Sequence, residues 1–147
     1  MRKMLGLLFG LILFSNIGYA DNKVYTTDAN VLPQNSRQFL TTHFGDVKIA
    51  HISIDKNWYG VKDYDVILID GTEVEFRKNG KWKEVNRRDV PVPQAILMPV
   101  IADYVKTNFS ENYVVAVEQD DRRYEVKLNN GIELDFDLTG RLRKVDY

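Results

Sequence analysis

The chain has no cysteine among its 147 residues. That excludes disulfides, thiolate zinc sites, a cysteine nucleophile and a lipidated N-terminal cysteine. Histidine is scarce too: His43 and His51 are all there is, too little imidazole for a His-rich metal centre. There is no basic excess, with 20 Lys and Arg against 21 Asp and Glu and a net charge of −1. Domains that bind nucleic acid are usually basic, so nucleic acid is not an expected partner. The sequence contains no Gly-rich phosphate loop and no G-x-S-x-G turn to present a serine nucleophile. Beyond residue 20 no stretch is apolar enough to span a bilayer.

What is present begins with an address. Arg2 and Lys3 precede ten residues, Leu5 to Phe14, of Leu, Ile, Phe and Gly. Small residues follow at Gly18 and Ala20, the pattern of a secretory signal cut between Ala20 and Asp21. Residues 1–20 are therefore read as a leader, and the chain as exported, to the periplasm before the medium. Taking 20 residues from 147 leaves 127. Without Arg2 and Lys3 these carry 18 basic and 21 acidic side chains, net −3. Without cysteine, the exported domain must rest on its apolar core, which a chain of this size can supply.

The remainder is an internal repeat. Tyr64–Val85 (YDVILIDGTEVEFRKNGKWKEV) aligns without gaps on Tyr124–Val145 (YEVKLNNGIELDFDLTGRLRKV), with eight of 22 positions identical. Both glycines and both aromatics stay in register, which marks a duplication. Upstream, Phe39, Leu40 and Phe44 match Tyr104, Val105 and Phe109 at a shift of 65 instead of 60. The first unit thus holds five extra residues in the stretch Lys56–Val61. Repeat 1 covers about 30–90 and repeat 2 about 91–147, together one domain.

Each repeat opens with a helix. Pro33 suits a first helical position, Phe39, Leu40, His43 and Phe44 make one face, and Gly45 suits the end. In the second repeat Ile96, Leu97, Val100, Ile101, Tyr104 and Val105 recur at helical spacing after Pro93. Pro99 falls inside that run and is expected to kink or split it. Strands follow at Val47–Asp55 and Tyr113–Gln119, then hairpins through Asp70-Gly71 and Asn130-Gly131 and turns at Asn79-Gly80 and Thr139-Gly140.

Turn parity decides the register. A two-residue loop at Asp70-Gly71 would pair Leu68 with Glu73, mixing charge and core on both faces. A three-residue loop, Ile69-Asp70-Gly71, pairs Leu68 with Thr72, Val66 with Val74 and Tyr64 with Phe76. The same loop in the second repeat pairs Leu128 with Ile132, Val126 with Leu134 and Tyr124 with Phe136. A type I turn with glycine in the bulge position is predicted in both. Phe76 then faces Trp82, and Phe136 faces Leu142. The other face pairs Glu75 with Lys83, Asp135 with Arg143 and Asp137 with Arg141. The fold class is α+β: two helix-plus-meander units, helices packed on one face of a curved antiparallel sheet of about eight strands.

The helix-then-meander duplication resembles the PepSY-like family of exported bacterial proteins. Tyr124-Glu125-Val126, Asn130 to Asp137 and Gly140 carry the resemblance, with a weaker copy from Tyr64 to Gly80, and it extends over about residues 30–147. It implies a β-lactamase-inhibitor-protein-like fold and a role in binding or restraining peptidases or other exported partners, with calcium suspected for some members. No catalytic motif comes with it, so an enzyme is not expected.

Both histidines read as structural, His43 on an apolar helix face and His51 beside Ile49 and Ile52. The candidate partner-binding surface is Trp58, Tyr59, Ile67 and Ile69, rimmed by Glu73, Glu75 and Lys83. Repeat 2 has Lys127 and Asn129 where repeat 1 has Ile67 and Ile69. Exposed aromatic and apolar centres with charged rims suit hot spots. Alternatively, Trp58 caps the core edge, or the segment Asp21–Val31 covers Ile67 and Ile69. A weaker expectation places calcium on Asp63, Asp65, Asp120 or Asp121, although no D-x-D-x-D-G loop occurs. Strand edges leave a homodimer open.

Overall fold

A computed structural model describes residues 22–45 and 47–147; the predicted leader, 1–20, lies outside them. Hairpin chemistry organises the chain. Its strands are β1 (Lys23–Thr26), β2 (Ile49–Asn57), β3 (Gly60–Leu68), β4 (Glu73–Arg77), β5 (Trp82–Asn86), β6 (Val114–Gln119), β7 (Arg123–Leu128), β8 (Glu133–Asp137) and β9 (Leu142–Asp146). They form one antiparallel sheet in chain order. Helix α1 (Gln34–Phe44) lies between β1 and β2, and α2 (Pro99–Asn108) between β5 and β6.

The predicted turns are observed. Gly71 and Gly131 have φ of +85° and +89°, the left-handed position glycine fills without strain. Leu68 N–H donates to the Thr72 carbonyl, and Leu128 N–H to that of Ile132. Val66 then faces Val74, Tyr64 faces Phe76, Val126 faces Leu134 and Tyr124 faces Phe136. Phe76 meets Trp82, and Phe136 meets Leu142.

Both helices pack on that apolar face. Phe39 of α1 meets Phe76 edge-on at 5.7 Å, and Tyr104 of α2 meets Phe136 likewise at 5.5 Å. Leu40, Phe44, Ile101 and Val105 join Ile52, Val66, Val117 and Val126 in one core. Pro33 caps α1 and Gly45 ends it at φ +54°. Pro99 splits the second helical run as expected: a 3₁₀ turn at Gln94–Ile96 precedes α2, which starts at Pro99 itself.

Three features correct the sequence reading, and the placement of the extra residues adds to it. The sheet has nine strands instead of eight, because Lys23–Thr26 pairs with β2. That strand extends the sheet sideways and does not lie over Ile67 and Ile69. The five extra residues lengthen a hairpin: β2 and β3 have nine residues each, where β6 and β7 have six. Lys83 and Arg143 are bulge residues, since Phe76 pairs with Trp82 but Glu75 with Glu84, and Phe136 with Leu142 but Asp135 with Lys144. The bulge turns Val85 into the core and Glu84 out of it. Finally, Arg143 pairs with Asp137 (3.4 Å), not with Asp135, which takes Arg123 (3.3 Å). Asp137 meets Arg141 through the backbone: the Arg141 N–H donates to the Asp137 carboxylate (3.0 Å), and the Asp137 N–H to the Arg141 carbonyl (2.9 Å). The Glu75–Lys83 pair stands, at 2.6 Å.

Candidate functional site: the open sheet face

With both helices on one side, the other face of the sheet carries no helix among the described residues. Alternation and the β5 bulge place one residue of each strand in a single cross-strand row. Across the strands it reads Tyr25, Ser53, Asp65, Glu75, Glu84, Glu118, Glu125, Asp135, Lys144. Six consecutive members, on β3 to β8, are carboxylates. Like charges directly opposite on a sheet destabilise it, so the row is a local conflict of the kind expected at a functional surface.

Ions within the chain relieve only part of the row. Lys83 Nζ reaches Glu75 at 2.6 Å, and Arg123 reaches Glu125 at 3.2 Å and Asp135 at 3.3 Å. Lys144 turns to Asp146. Among the described residues no cation lies within ion-pair distance of Asp65, Glu84 or Glu118. Burial pushes Asp65 up to about 6, with Glu75 adding to it, and Glu84 up to about 7, with Glu118 adding. Glu125 is 4% exposed, and burial followed by the Asp135 carboxyl raises it to about 8. Two buried polar atoms in the row have no hydrogen-bond partner among the described residues: Ser53 Oγ and Glu125 Oε1. A hollow of about 30 Å³ lies among Asp65, Ile67, Glu73, Glu75 and Glu84.

The residues predicted to form the partner surface are only partly brought together. Ile67, Glu73, Glu75 and Lys83 share the open face around that hollow. Ile69 lies in the β3–β4 turn, 66% exposed. Trp58 and Tyr59 form the tip of the β2–β3 hairpin, at the opposite end of β3. Their rings lie 3.5 Å apart, and at 84% and 71% exposure Trp58 caps no core edge. The aromatic pair and the isoleucines are therefore separate features, because the extra residues extend the hairpin away from its turn end.

The four acidic residues considered for calcium are scattered. Asp63 shares Lys62 with Asp55, while Asp65 stands in the row. Asp120 accepts the Arg122 and Arg123 backbone N–H groups in the β6–β7 turn, with Asp121 exposed beside it. No group of three acidic or histidine side chains among the described residues converges as a metal site does. His43 packs tilted against Phe39 at 4.6 Å, and burial lowers its pKa. His51 is on the open face opposite Ile67, its ring 6.4 Å from Tyr25.

Sequence reasoning missed the carboxylate row. The signal was there in the paired charges of W-K-E-V, which place a bulge before Val85. The β5–β6 pairing, which completes the row, spans a connection no local pattern reports.

A profile of the family described as "putative beta-lactamase-inhibitor-like, PepSY-like" matches residues 18–63 and 62–144. The chain belongs to this family. Solved structures agree with the PepSY-like assignment. A "putative periplasmic protein" of the DUF2874 family from Bacteroides vulgatus is 37% identical, with TM-score 0.80, covering 88% of this chain and 100% of that one. A "putative calcium-regulated periplasmic protein" from Bacteroides thetaiotaomicron is also 37% identical, with TM-score 0.82 and the same coverage. A second Bacteroides vulgatus "putative periplasmic protein of unknown function" is 36% identical, with TM-score 0.80, covering 85% and 99%. No functionally curated protein matches the chain. The expectation of an exported, periplasmic chain agrees with these relatives. Among the described residues of this PepSY-like chain, no helix is long and apolar enough to cross a membrane.

Proposed function

We propose that this PepSY-like protein is a non-enzymatic binding module of the periplasm, engaging a protein or peptide partner, in the manner of an inhibitor, through its open sheet face. The observation that carries the reading is the one-sided placement of the helices. It leaves a broad face on which half-buried carboxylates surround Ile67. Nothing in the site favours catalysis: no hydrogen bond among the described residues joins a histidine to a serine or a carboxylate. The test is capture from envelope extract by the wild-type chain beside Ile67→Glu. A partner held by the wild type and lost by a stably folded variant supports the reading. A partner held equally by both, or unfolding of the variant, counts against Ile67 as part of a binding surface.

A second reading is favoured by the relative described as calcium-regulated and by the unpartnered Glu125 Oε1. On it, the acidic face is a calcium-responsive surface. A melting temperature unmoved by millimolar calcium would remove it.

A further inference from the structure

We infer that the partner presents an extended, lysine- and arginine-bearing segment, seated across the strands on the carboxylate row from Asp65 to Asp135. This rests on the binding-module reading and gives it a chemistry. Charge complementarity is the first argument. Among the described residues no cation lies within ion-pair distance of Asp65, Glu84 or Glu118, and Glu75 has a lysine that an incoming ligand can displace. The orphaned atoms are the second, and they are independent of the charge count. Ser53 Oγ is an uncharged hydroxyl, 6% exposed, beside Asp65 at one end of the row; Glu125 Oε1 is near the other. Both can accept hydrogen bonds. Ammonium and guanidinium groups bring three and five donors and no acceptor.

Geometry separates this ligand from a metal ion. Calcium gathers six to eight oxygens around one point, whereas these carboxylates follow one another at the strand spacing of roughly 4.8 Å. The row therefore runs about 24 Å over five such spacings, the reach of some seven extended residues. Alternate side chains of that segment would face the sheet, so three or four of them need be basic. A parallel row on the next pleat, His51, Ile67, Glu73, Asn86, Ala116, Lys127, includes two apolar members on which lysine stems can lie.

Protonation gives a second readout. Asp65 is faced by Lys23 of β1, Asp55 of β2, Asp63 of its own strand and Glu75 of β4. Glu84 is faced by Glu73 and Glu75 of β4, its neighbour Lys83 and Glu118 of β6. Glu125 is faced by Glu118 of β6, Arg123 of β7 and Asp135 of β8. A bound cation favours the ionised form of each, so binding releases protons and weakens as pH falls from 8 to 5.5.

The experiment uses chain purified from the periplasm and a labelled octapeptide, (Lys-Ser)₄, followed by fluorescence anisotropy at pH 8 and low salt. The expected result is saturable binding, with no binding of (Glu-Ser)₄. The Glu84→Gln/Glu118→Gln double variant should weaken it at least tenfold, and wild-type affinity should fall at least tenfold at pH 5.5. Equal binding by the double variant would show diffuse attraction to an acidic protein and overturn the inference. Spermine binding as tightly as the peptide would overturn a protein segment as the source of the cations. If the peptide fails while envelope capture still depends on Ile67, the cationic chemistry falls and the binding module stands. If both fail, both fall.

Discussion

Phe76 and Phe136 hold equivalent places in their units, fully buried, each under an aromatic ring of its own helix and each next to a bulge. Ile67 and Lys127, equally equivalent by sequence, face solvent on the other side and share nothing. One unit carries an aromatic hairpin tip, and the other a short turn. In the first, Glu84 stands in the row where the second has Lys144. Duplication has kept what the core requires and released what it does not. The differences between the copies therefore lie where the core makes no demand, which is where the candidate surface lies.

The largest expected effect tests the equivalence itself. Phe76→Ala and Phe136→Ala should each cost about 3–5 kcal/mol in urea unfolding, and by similar amounts. A large inequality would mean that one unit holds the fold and the other follows it.

The hairpin-tip glycines should separate the units. Gly80 and Gly140 both have positive φ, but an added Cβ meets different neighbours. At Gly80 it would run into the Asn35 side-chain amide and lie 2.7 Å from the Pro33 ring; at Gly140 it would run into the Val100 side chain. Gly80→Ala should cost about 2–3 kcal/mol, and Gly140→Ala about 1–2, because a valine can turn and a proline cannot. Equal losses would show that backbone conformation alone decides. Ser36→Ala comes next. Its hydroxyl donates to the Gly80 carbonyl at 2.9 Å from a fully buried position, and its loss should cost about 1 kcal/mol by thermal unfolding. The second unit, with Val100 on Gly140, has no such bond to lose.

Then the row. The carboxyls of Glu84 and Glu125 have folded-state values of about 7 and 8, above the ordinary 4.5 of an unfolded glutamate. Between those limits the folded chain holds more protons than the unfolded one. Stability is therefore greatest below about 4.5 on this account and declines as pH rises toward 8. Glu84→Gln should flatten that decline and raise stability at pH 8 by on the order of 1 kcal/mol, read as melting temperature against pH. An unchanged profile would remove Glu84 as a source of the pH dependence. Smallest of all, Trp58→Ala should alter stability by less than about 0.5 kcal/mol, since its ring lies against Tyr59 at an exposed tip.

Much of this was readable in advance, and for a definite reason. A three-residue loop with glycine at its end fixes strand register, and register fixes which side chain is buried. From Ile69-Asp70-Gly71 the pairs Val66–Val74 and Tyr64–Phe76 follow. The bulge at Lys83 was less legible, because it breaks the alternation on which such readings depend. β1 was not, since Lys-Val-Tyr-Thr is short, lies at an edge and buries none of its side chains deeply. The carboxylate row was the least accessible. It needs both the bulge and the pairing of β5 with β6, two strands separated in sequence by residues 87–113 and joined by a ladder that no local pattern reports.

Because spatial order repeats chain order from β1 to β9, every strand pairs with the strand made just before it. Most of the sheet can therefore zip from its turns, at small entropic cost per step. Only two closures are long, across α1 and across α2, and they set the pace. A chain delivered unfolded across a membrane thus needs to search for few distant contacts. Each helix, once docked, joins the two strands it separates in sequence and completes a sheet already mostly built.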